Sequence, residues 1–339
     1  MLLSGKKTAL LGKLLVLALT LALTAAGCGK SSSSNSGSGQ EQELTVLLDW
    51  YPNAVHSFLF AAEKEGYFKE AGLKVKLETP AGTDDAVKLL AAGKADLALS
   101  YQTVIAISRA EDIPVVSLAA IVRHPLNQLF ALEQSGIKRP KDLEGKNIGY
   151  PSIPLDEAIV NTMVKADGGD PAKVKYTDIG WDLIPAMTTK KVDAIIGGYI
   201  NHEKLLLEKE GVKLSTLDPV KYGVPDFYEL VLASSEDGLK KNREVYQKFW
   251  EAAAKGYEYT VKNPEASLKN LLEQQNKDFP LDPEVEKKSL DILLPLMDAG
   301  KDAFGSQTET SWQRIIDWLN NAGQLKKAPA AKDAFTNLQ

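Results

Sequence analysis

The sequence predicts an α/β protein built as two lobes, and three observations carry that prediction. From Leu44 onward, short apolar runs of strand length alternate with stretches of helical period. A helix–turn–strand unit occurs twice along the chain. Finally, 339 residues with 44% hydrophobic side chains are enough for about two cores rather than one.

The elements follow in order. Residues 44–48 read as a buried strand, 58–65 as a helix and 74–78 as a second strand. A helix over 84–92 has Val87, Leu89, Leu90 and Ala91 as its apolar positions, and a strand at 97–99 follows it. Such alternation predicts a parallel sheet flanked by helices. The repeated unit spans 87–101 and 184–199. Each copy runs through a helix, a Lys-x-Asp turn (Lys94-Ala95-Asp96 and Lys191-Val192-Asp193), an apolar strand, small residues and a tyrosine. Residues 147–151 place a strand before a polar loop and helix, as 44–50 do.

The first lobe is therefore expected over 44–135 and 230–339, and the second over 136–229. The charged segment 138–146 opens the second lobe, and an apolar strand at 228–233 returns the chain to the first. Beyond it the pattern is helical, with Phe249, Trp250, Trp312 and Trp318 read as packing residues on the first lobe.

The amino terminus is of another kind. Lys6, Lys7 and Lys13 precede an apolar run over 14–26, and Ala25, Ala26 and Gly27 lead into Cys28. Basic, apolar and then small residues are the layout of a secretory signal over residues 1–28. The apolar run falls short of the ~20 residues that a membrane span needs. Residues 29–43, rich in Ser and Gly, form a flexible linker with a reach of about 20 Å.

Composition excludes several chemistries. Forty basic against forty-five acidic residues give a net charge of −5, with no electrostatic footprint for nucleic acid. Cys28 is the only cysteine, so an internal disulfide and a cysteine-based metal site are excluded. His56, His124 and His202 lack metal-ligand spacing, and no nucleophile elbow, Walker loop or dinucleotide fingerprint occurs. No metal or cofactor is expected.

Ligands of open α/β sheets bind beyond the carboxyl ends of the strands. That rule selects four loops, beginning at Asp49, Ser100, Tyr150 and Gly197. They carry Asp49, Trp50, Asn53 and His56; Tyr101; Tyr150; and Tyr199, Asn201, His202 and Glu203. Aromatic faces stack on flat rings, while Asn and Glu supply directional hydrogen bonds. A carboxylate such as Glu203 matches an amine beside a protonated ring nitrogen at two points. Gly197 and Gly198 would let the backbone approach a ligand closely. Spacing alone also fits ordinary strand-to-helix loops.

At these loops the sequence resembles a known family. Leu48-Asp49-Trp50-Tyr51-Pro52-Asn53-Ala54-Val55-His56 is similar to the opening signature of the thiamine-pyrimidine precursor group of periplasmic-type binding proteins. Gly149-Tyr150-Pro151-Ser152-Ile153-Pro154-Leu155-Asp156-Glu157, Gly197-Gly198-Tyr199-Ile200-Asn201-His202-Glu203 and Tyr222-Gly223-Val224-Pro225-Asp226-Phe227-Tyr228-Glu229 look like the same group. The resemblance, to ThiY-like lipoproteins, implies a type II-like periplasmic-binding-protein fold with the ligand cleft between its lobes. It implies capture of a formyl-aminopyrimidine for an ABC permease, without catalysis. Leu23-Thr24-Ala25-Ala26-Gly27-Cys28 resembles a lipobox, which implies lipidation at Cys28 and a monomer anchored on the extracytoplasmic face of the cell membrane. By the same resemblance Trp50 and Tyr199 stack on the ring, and Asn53 and Glu203 bond its edge. Tyr101 and Tyr150 wall the site, and Asp49, His56, Asn201 and His202 support it. The wider superfamily also takes riboflavin-like, sulfonate and nitrate ligands. The group's thiamine-pyrimidine synthases carry a cysteine-rich, iron-associated motif, and this chain has no cysteine after Cys28.

Overall fold

Strand β1 (Gln42–Leu47) buries Leu44 and Val46 on one face and Leu47 on the other, and the rest of the first lobe is arranged around that fact. In the computed structural model, which describes residues 41–80, 85–180, 182–275 and 280–338, helices cover both sides of its sheet. The leader, Cys28 and the linker up to residue 40 lie outside the described residues. The strand takes in the last two residues of the expected linker.

In order come α1 (Ser57–Lys64), α2 (Tyr67–Glu70), β2 (Leu73–Glu78), α3 (Asp85–Ala91), β3 (Leu97–Ser100), α4 (Gln102–Ala110) and β4 (Val115–Val122). The chain then crosses to a second sheet. It is built from β5 (Asn127–Leu132), β6 (Asn147–Tyr150), α5 (Pro154–Ala166), β7 (Lys175–Asp178), α6 (Leu183–Thr188), β8 (Ala194–Tyr199), α7 (Glu203–Lys209) and β9 (Leu214–Leu217). It returns through β10 (Leu230–Ser235) and ends in α8 (Glu236–Lys262), α9 (Pro264–Glu273), α10 (Pro283–Met297), α11 (Glu309–Asn321) and α12 (Ala331–Ala334).

The two sheets have the same plan. Their strand orders are β2-β1-β3-β10-β4 and β7-β6-β8-β5-β9. In each, the first three strands run parallel and the fourth is antiparallel to its neighbours. The parallel sense expected from the alternation over residues 44–99 holds for β1, β2 and β3, and the antiparallel fourth strand is added to that plan. The antiparallel strand of each sheet is the one delivered by a crossing from the other lobe. The expected boundary at residue 136 moves for the same reason, because β5 already belongs to the second sheet.

The sequence repeat has a physical basis. Asp96 and Asp193, the aspartates of the two Lys-x-Asp turns, accept the backbone N–H of Thr45 and Asn147, each at 2.8 Å. Each turn thereby pins the middle one of the three parallel strands of its own sheet. The unit recurs because both sheets need the same clip.

Packing follows the pleat. Leu44, Val46 and Leu48 lie in one cluster with Phe58 and Leu59 of α1 and Tyr246, Phe249 and Trp250 of α8. Leu47 faces Val87 and Leu90 of α3, Ile105 of α4 and Trp312 of α11. In the second lobe, Phe130 and Leu132 pack on Leu183 and Met187 of α6, while Leu129 and Ala131 join Val160 and Met163 of α5. Each large apolar side chain so buried contributes about 1.5–3 kcal/mol. Phe249, Trp250 and Trp312 are buried as expected, and Trp318 packs partly buried at the edge of its cluster.

Candidate ligand cleft between the lobes

The loop after β1 shapes the first-lobe wall. Asn53 has extended backbone (φ −151°) and its Oδ1 accepts the Val55 N–H at 3.1 Å, capping the short helical turn Ala54–His56. Its amide nitrogen donates to the Tyr51 carbonyl. The amide that was expected to reach a ring edge is thus tied into its own loop at both ends. The Asn53 N–H donates to Nδ1 of His56, which places the imidazole hydrogen on Nε2, and Nε2 meets Asp49 Oδ1 at 2.8 Å. The Tyr101 hydroxyl donates to Asp49 Oδ2 at 3.0 Å. Buried Asp49 therefore joins the end of β1 to the end of β3. From α10, Glu286 accepts the Ala54 N–H at 2.7 Å. Burial pushes its carboxyl above the ordinary range.

The second-lobe wall is the end of β8. Gly197 has φ +90°, and a Cβ there would meet the Pro151 ring at 2.6 Å and Asp156 Oδ2 at 3.1 Å. A Cβ on Gly198 would strike the Phe130 ring at 2.8 Å. These glycines admit neighbours of their own lobe, which corrects the expectation that they make room for a ligand. Glu203 accepts the Tyr199 N–H at 2.8 Å, and its other oxygen lies 2.7 Å from His202 Nδ1. Burial opposes charge on both partners, but their bond outweighs it: His202 is raised and Glu203 lowered, each toward its charged form. Tyr150 is bound to its own lobe, with its hydroxyl raised by a bond to Glu157 and its ring edge-on to Tyr176 at 6.2 Å.

The two walls meet. The His202 ring stands edge-on to Tyr51 at 6.4 Å, and Trp50 lies 5.3 Å from the same Tyr51 ring. Asn201 Nδ2 donates to Ser289 Oγ of α10 at 3.0 Å, in a buried contact. Tyr101 and Tyr199 interact through their hydroxyls, each raised well above its ordinary value by desolvation.

Several residues of the cleft escape a reading of the sequence. Glu229, on the return crossing, accepts the Tyr199 hydroxyl at 3.0 Å and the N–H groups of Leu126 and Asn127 at 2.7 and 3.3 Å. Asn127 in turn donates to Asp156 Oδ1 at 2.9 Å and accepts the Gly197 N–H. Burial pushes the Asp156 carboxyl up to about 7, while its bond to Asn127 acts against this. Glu229 and Asp156 both lie inside the quoted motifs, so the signal was present. Glu286 and Ser289 stand on α10, outside every one of those motifs, and their address is purely tertiary. Of the histidines, His56 and His202 come to the cleft, while His124 pairs with Asp226 at 3.0 Å on the surface. No cluster with metal-ligand composition occurs among the described residues.

Two α/β lobes of identical strand plan, joined by two crossings, with the strand-end loops of both facing one cleft, define a periplasmic-binding-protein fold of type II-like architecture. The periplasmic aliphatic sulphonate binding protein SsuA from Escherichia coli superposes with a TM-score of 0.70 at 13% identity, over 86% of this chain and 97% of that one. The chain belongs to the NMT1/THI5-like family, whose profile matches residues 53–267. It is 45% identical over 294 residues to the formylaminopyrimidine-binding protein of Halalkalibacterium halodurans, covering 86% of this chain and 89% of the relative. It is also 29% identical over 254 residues to a 4-amino-5-hydroxymethyl-2-methylpyrimidine phosphate synthase of Saccharomyces cerevisiae, covering 70% and 73% of the two chains. Among the described residues, no helix is long and apolar enough to cross a membrane.

Proposed function

We propose that this chain is an extracytoplasmic solute-binding lipoprotein, anchored through Cys28, that captures an aminopyrimidine thiamine precursor of the formyl-aminopyrimidine type and delivers it to an ABC permease. The observation that carries this reading is the cleft itself. An aromatic wall of Trp50 and Tyr51 stands on one lobe, opposite the Glu203–His202 pair on the other. In this reading Trp50 and Tyr199 stack on the pyrimidine. A carboxylate has about four acceptor sites. The Tyr199 N–H, the His202 ring and the residue's own N–H occupy part of that capacity on Glu203. About one site is left, for the amine of the ring. Asp49, Asn53, His56 and Asn201 hold the loops, and Tyr101 and Tyr150 bound the site.

Binding between the lobes favours the closed form, since only there do both walls reach the ligand. Calorimetry with formyl-aminopyrimidine tests the reading, and absence of heat into the hundreds of micromolar removes it. Trp50→Ala and Glu203→Gln should each weaken binding about 10- to 100-fold, or about 1.4–2.8 kcal/mol. Unchanged affinity in both variants would discard the site assignment. The similarity to pyrimidine phosphate synthases makes an enzyme the second reading, and formation of a pyrimidine product on incubation with iron and pyridoxal phosphate would favour it.

A further inference from the structure

Five carboxylates surround the cleft's tyrosines: Asp49, Asp156, Glu203, Glu229 and Glu286. Asp49 acts on Tyr101, Glu203 and Glu286 on Tyr51, and Glu229 on Tyr199 and Asp156. Their hydrogen-bond partners are backbone N–H groups, tyrosine hydroxyls, the Asn127 amide and the two histidines. Among the described residues, no lysine or arginine forms an ion pair with any of the five, and the basic side chains bonded to them are His56 and His202.

Asp156 sharpens this. It stands in the first turn of thirteen-residue α5, where the helix dipole would otherwise favour an incoming anion. The side chain puts a carboxylate there instead, against Gly197 at the end of β8. Only 3% of the residue is exposed, and its Oδ2 has no hydrogen-bond partner among the described residues. A buried unpaired acceptor is satisfied by a donor and made worse by a second anion.

We propose that the cleft selects by charge, taking a neutral or protonated amino-heteroaromatic ring and rejecting the same ring once it carries a phosphate or sulfonate, with Asp156 as a specificity-determining residue. This rests on the assignment of the cleft above, and deepens it by excluding anionic ligands. An incoming phosphate faces like charge at α5, whereas a ring amine or N–H can donate to the unpaired oxygen.

The test is calorimetry on the full folded domain at pH about 8, where Asp156 is largely ionised, with two pairs of probes. One pair is 4-amino-5-hydroxymethyl-2-methylpyrimidine and its phosphate ester. The other is benzamidinium and benzenesulfonate. The expected result is at least 100-fold preference for the alcohol over the ester, and for the cation over the sulfonate. Asp156→Asn should narrow the first ratio at least tenfold, with Asp156→Ser as the second variant. The wild-type ratios decide the charge rule without either variant. Ester binding within threefold of the alcohol, or sulfonate binding as tight as the amidinium, overturns the rule. Unchanged selectivity in both folded variants overturns the role of Asp156. Failure of both pyrimidines with retained amidinium preference supports the charge rule while removing the pyrimidine reading. Failure of all four probes removes both.

Discussion

Glu229 receives the Tyr199 hydroxyl on one carboxylate oxygen and the N–H groups of the opposite crossing segment on the other. One buried side chain thus ties the cleft wall to both segments that join the lobes. Glu229→Ala leaves two backbone donors and a phenol without their acceptor, which costs about 2–3 kcal/mol. Urea denaturation should show the loss as a lower midpoint. A midpoint equal to wild type would mean that the crossings do not depend on this carboxylate.

Asp156 links stability to pH. Its folded value of about 7 lies above the ordinary 3.8, so the folded state binds the proton more tightly than the unfolded one. Its contribution is therefore unfavourable above pH 7 and is relieved as pH falls toward 4. Replacing it with Asn should stabilise the protein at pH 8 by about 1–3 kcal/mol, less than the shift alone implies because the new amide donor needs a partner. Thermal melts of the two proteins should converge as pH falls to 5. Parallel curves over that range would show that Asp156 does not titrate there.

The cleft pair titrates as a unit. In the wild type, the bond to Glu203 holds His202 above its ordinary 6.5 despite its burial. Stability from the raised histidine is present below pH 6.5 and fades as pH rises through its folded value. That from the lowered Glu203 is present above 4.5 and fades in acid. Glu203→Gln leaves desolvation to dominate, so the His202 titration midpoint should fall below 6.5. Imidazole shifts followed by NMR across pH 5–9 measure this. A midpoint that stays in place in the variant would separate the two residues.

The parts of the fold legible in the sequence are those set by short-range pattern. The alternation at residues 44–99 located β1, α1, β2, α3 and β3 to within a residue or two. The paired Lys-x-Asp turns marked equivalent positions because Asp96 and Asp193 clip equivalent strands. Strand direction was not legible: β5 and β10 look like any apolar run, and their antiparallel sense comes from crossings that span the whole molecule. The cleft divides the same way. Strand-end loops brought Asp49, Tyr101, Tyr199 and Glu203 forward, since proximity to the sheet edge is a local property. Glu286 and Ser289 reach the cleft only through the packing of α10, and no spacing in the chain announces it.

Gly256 is fixed by helix packing. A Cβ at this position of α8 would come within 2.2 Å of the Phe58 carbonyl oxygen and 2.9 Å of the Ala62 nitrogen. Both contacts are backbone of α1, which cannot turn aside as a side chain would. Gly256→Ala gains up to about 1 kcal/mol in helix propensity, but must separate two packed helices. The net expected loss is about 1–3 kcal/mol, read as a lower melting temperature. A variant as stable as wild type would show that α8 can slide on α1 without cost.

Asn201 and Ser289 form a latch between the lobes that is separate from the crossings. Their 3.0 Å bond is buried and joins the loop before α7 to α10, so it exists only while the lobes are together. Lys209 of α7 bonds Asp282 at the start of α10 and adds an exposed contact on the same side. Exposed pairs of that kind contribute little, so the buried bond dominates. Ser289→Ala removes about 0.5–1.5 kcal/mol from the closed form and leaves the open form untouched. The closed-to-open ratio of the ligand-free protein should drop about 2- to 12-fold, and ligand affinity should fall by no more than that factor. Spin labels at exposed Lys69 and Lys165, one on each lobe, would report the change as growth of the longer distance population. An unchanged distance distribution would place the control of closure in the crossings and Glu229 alone.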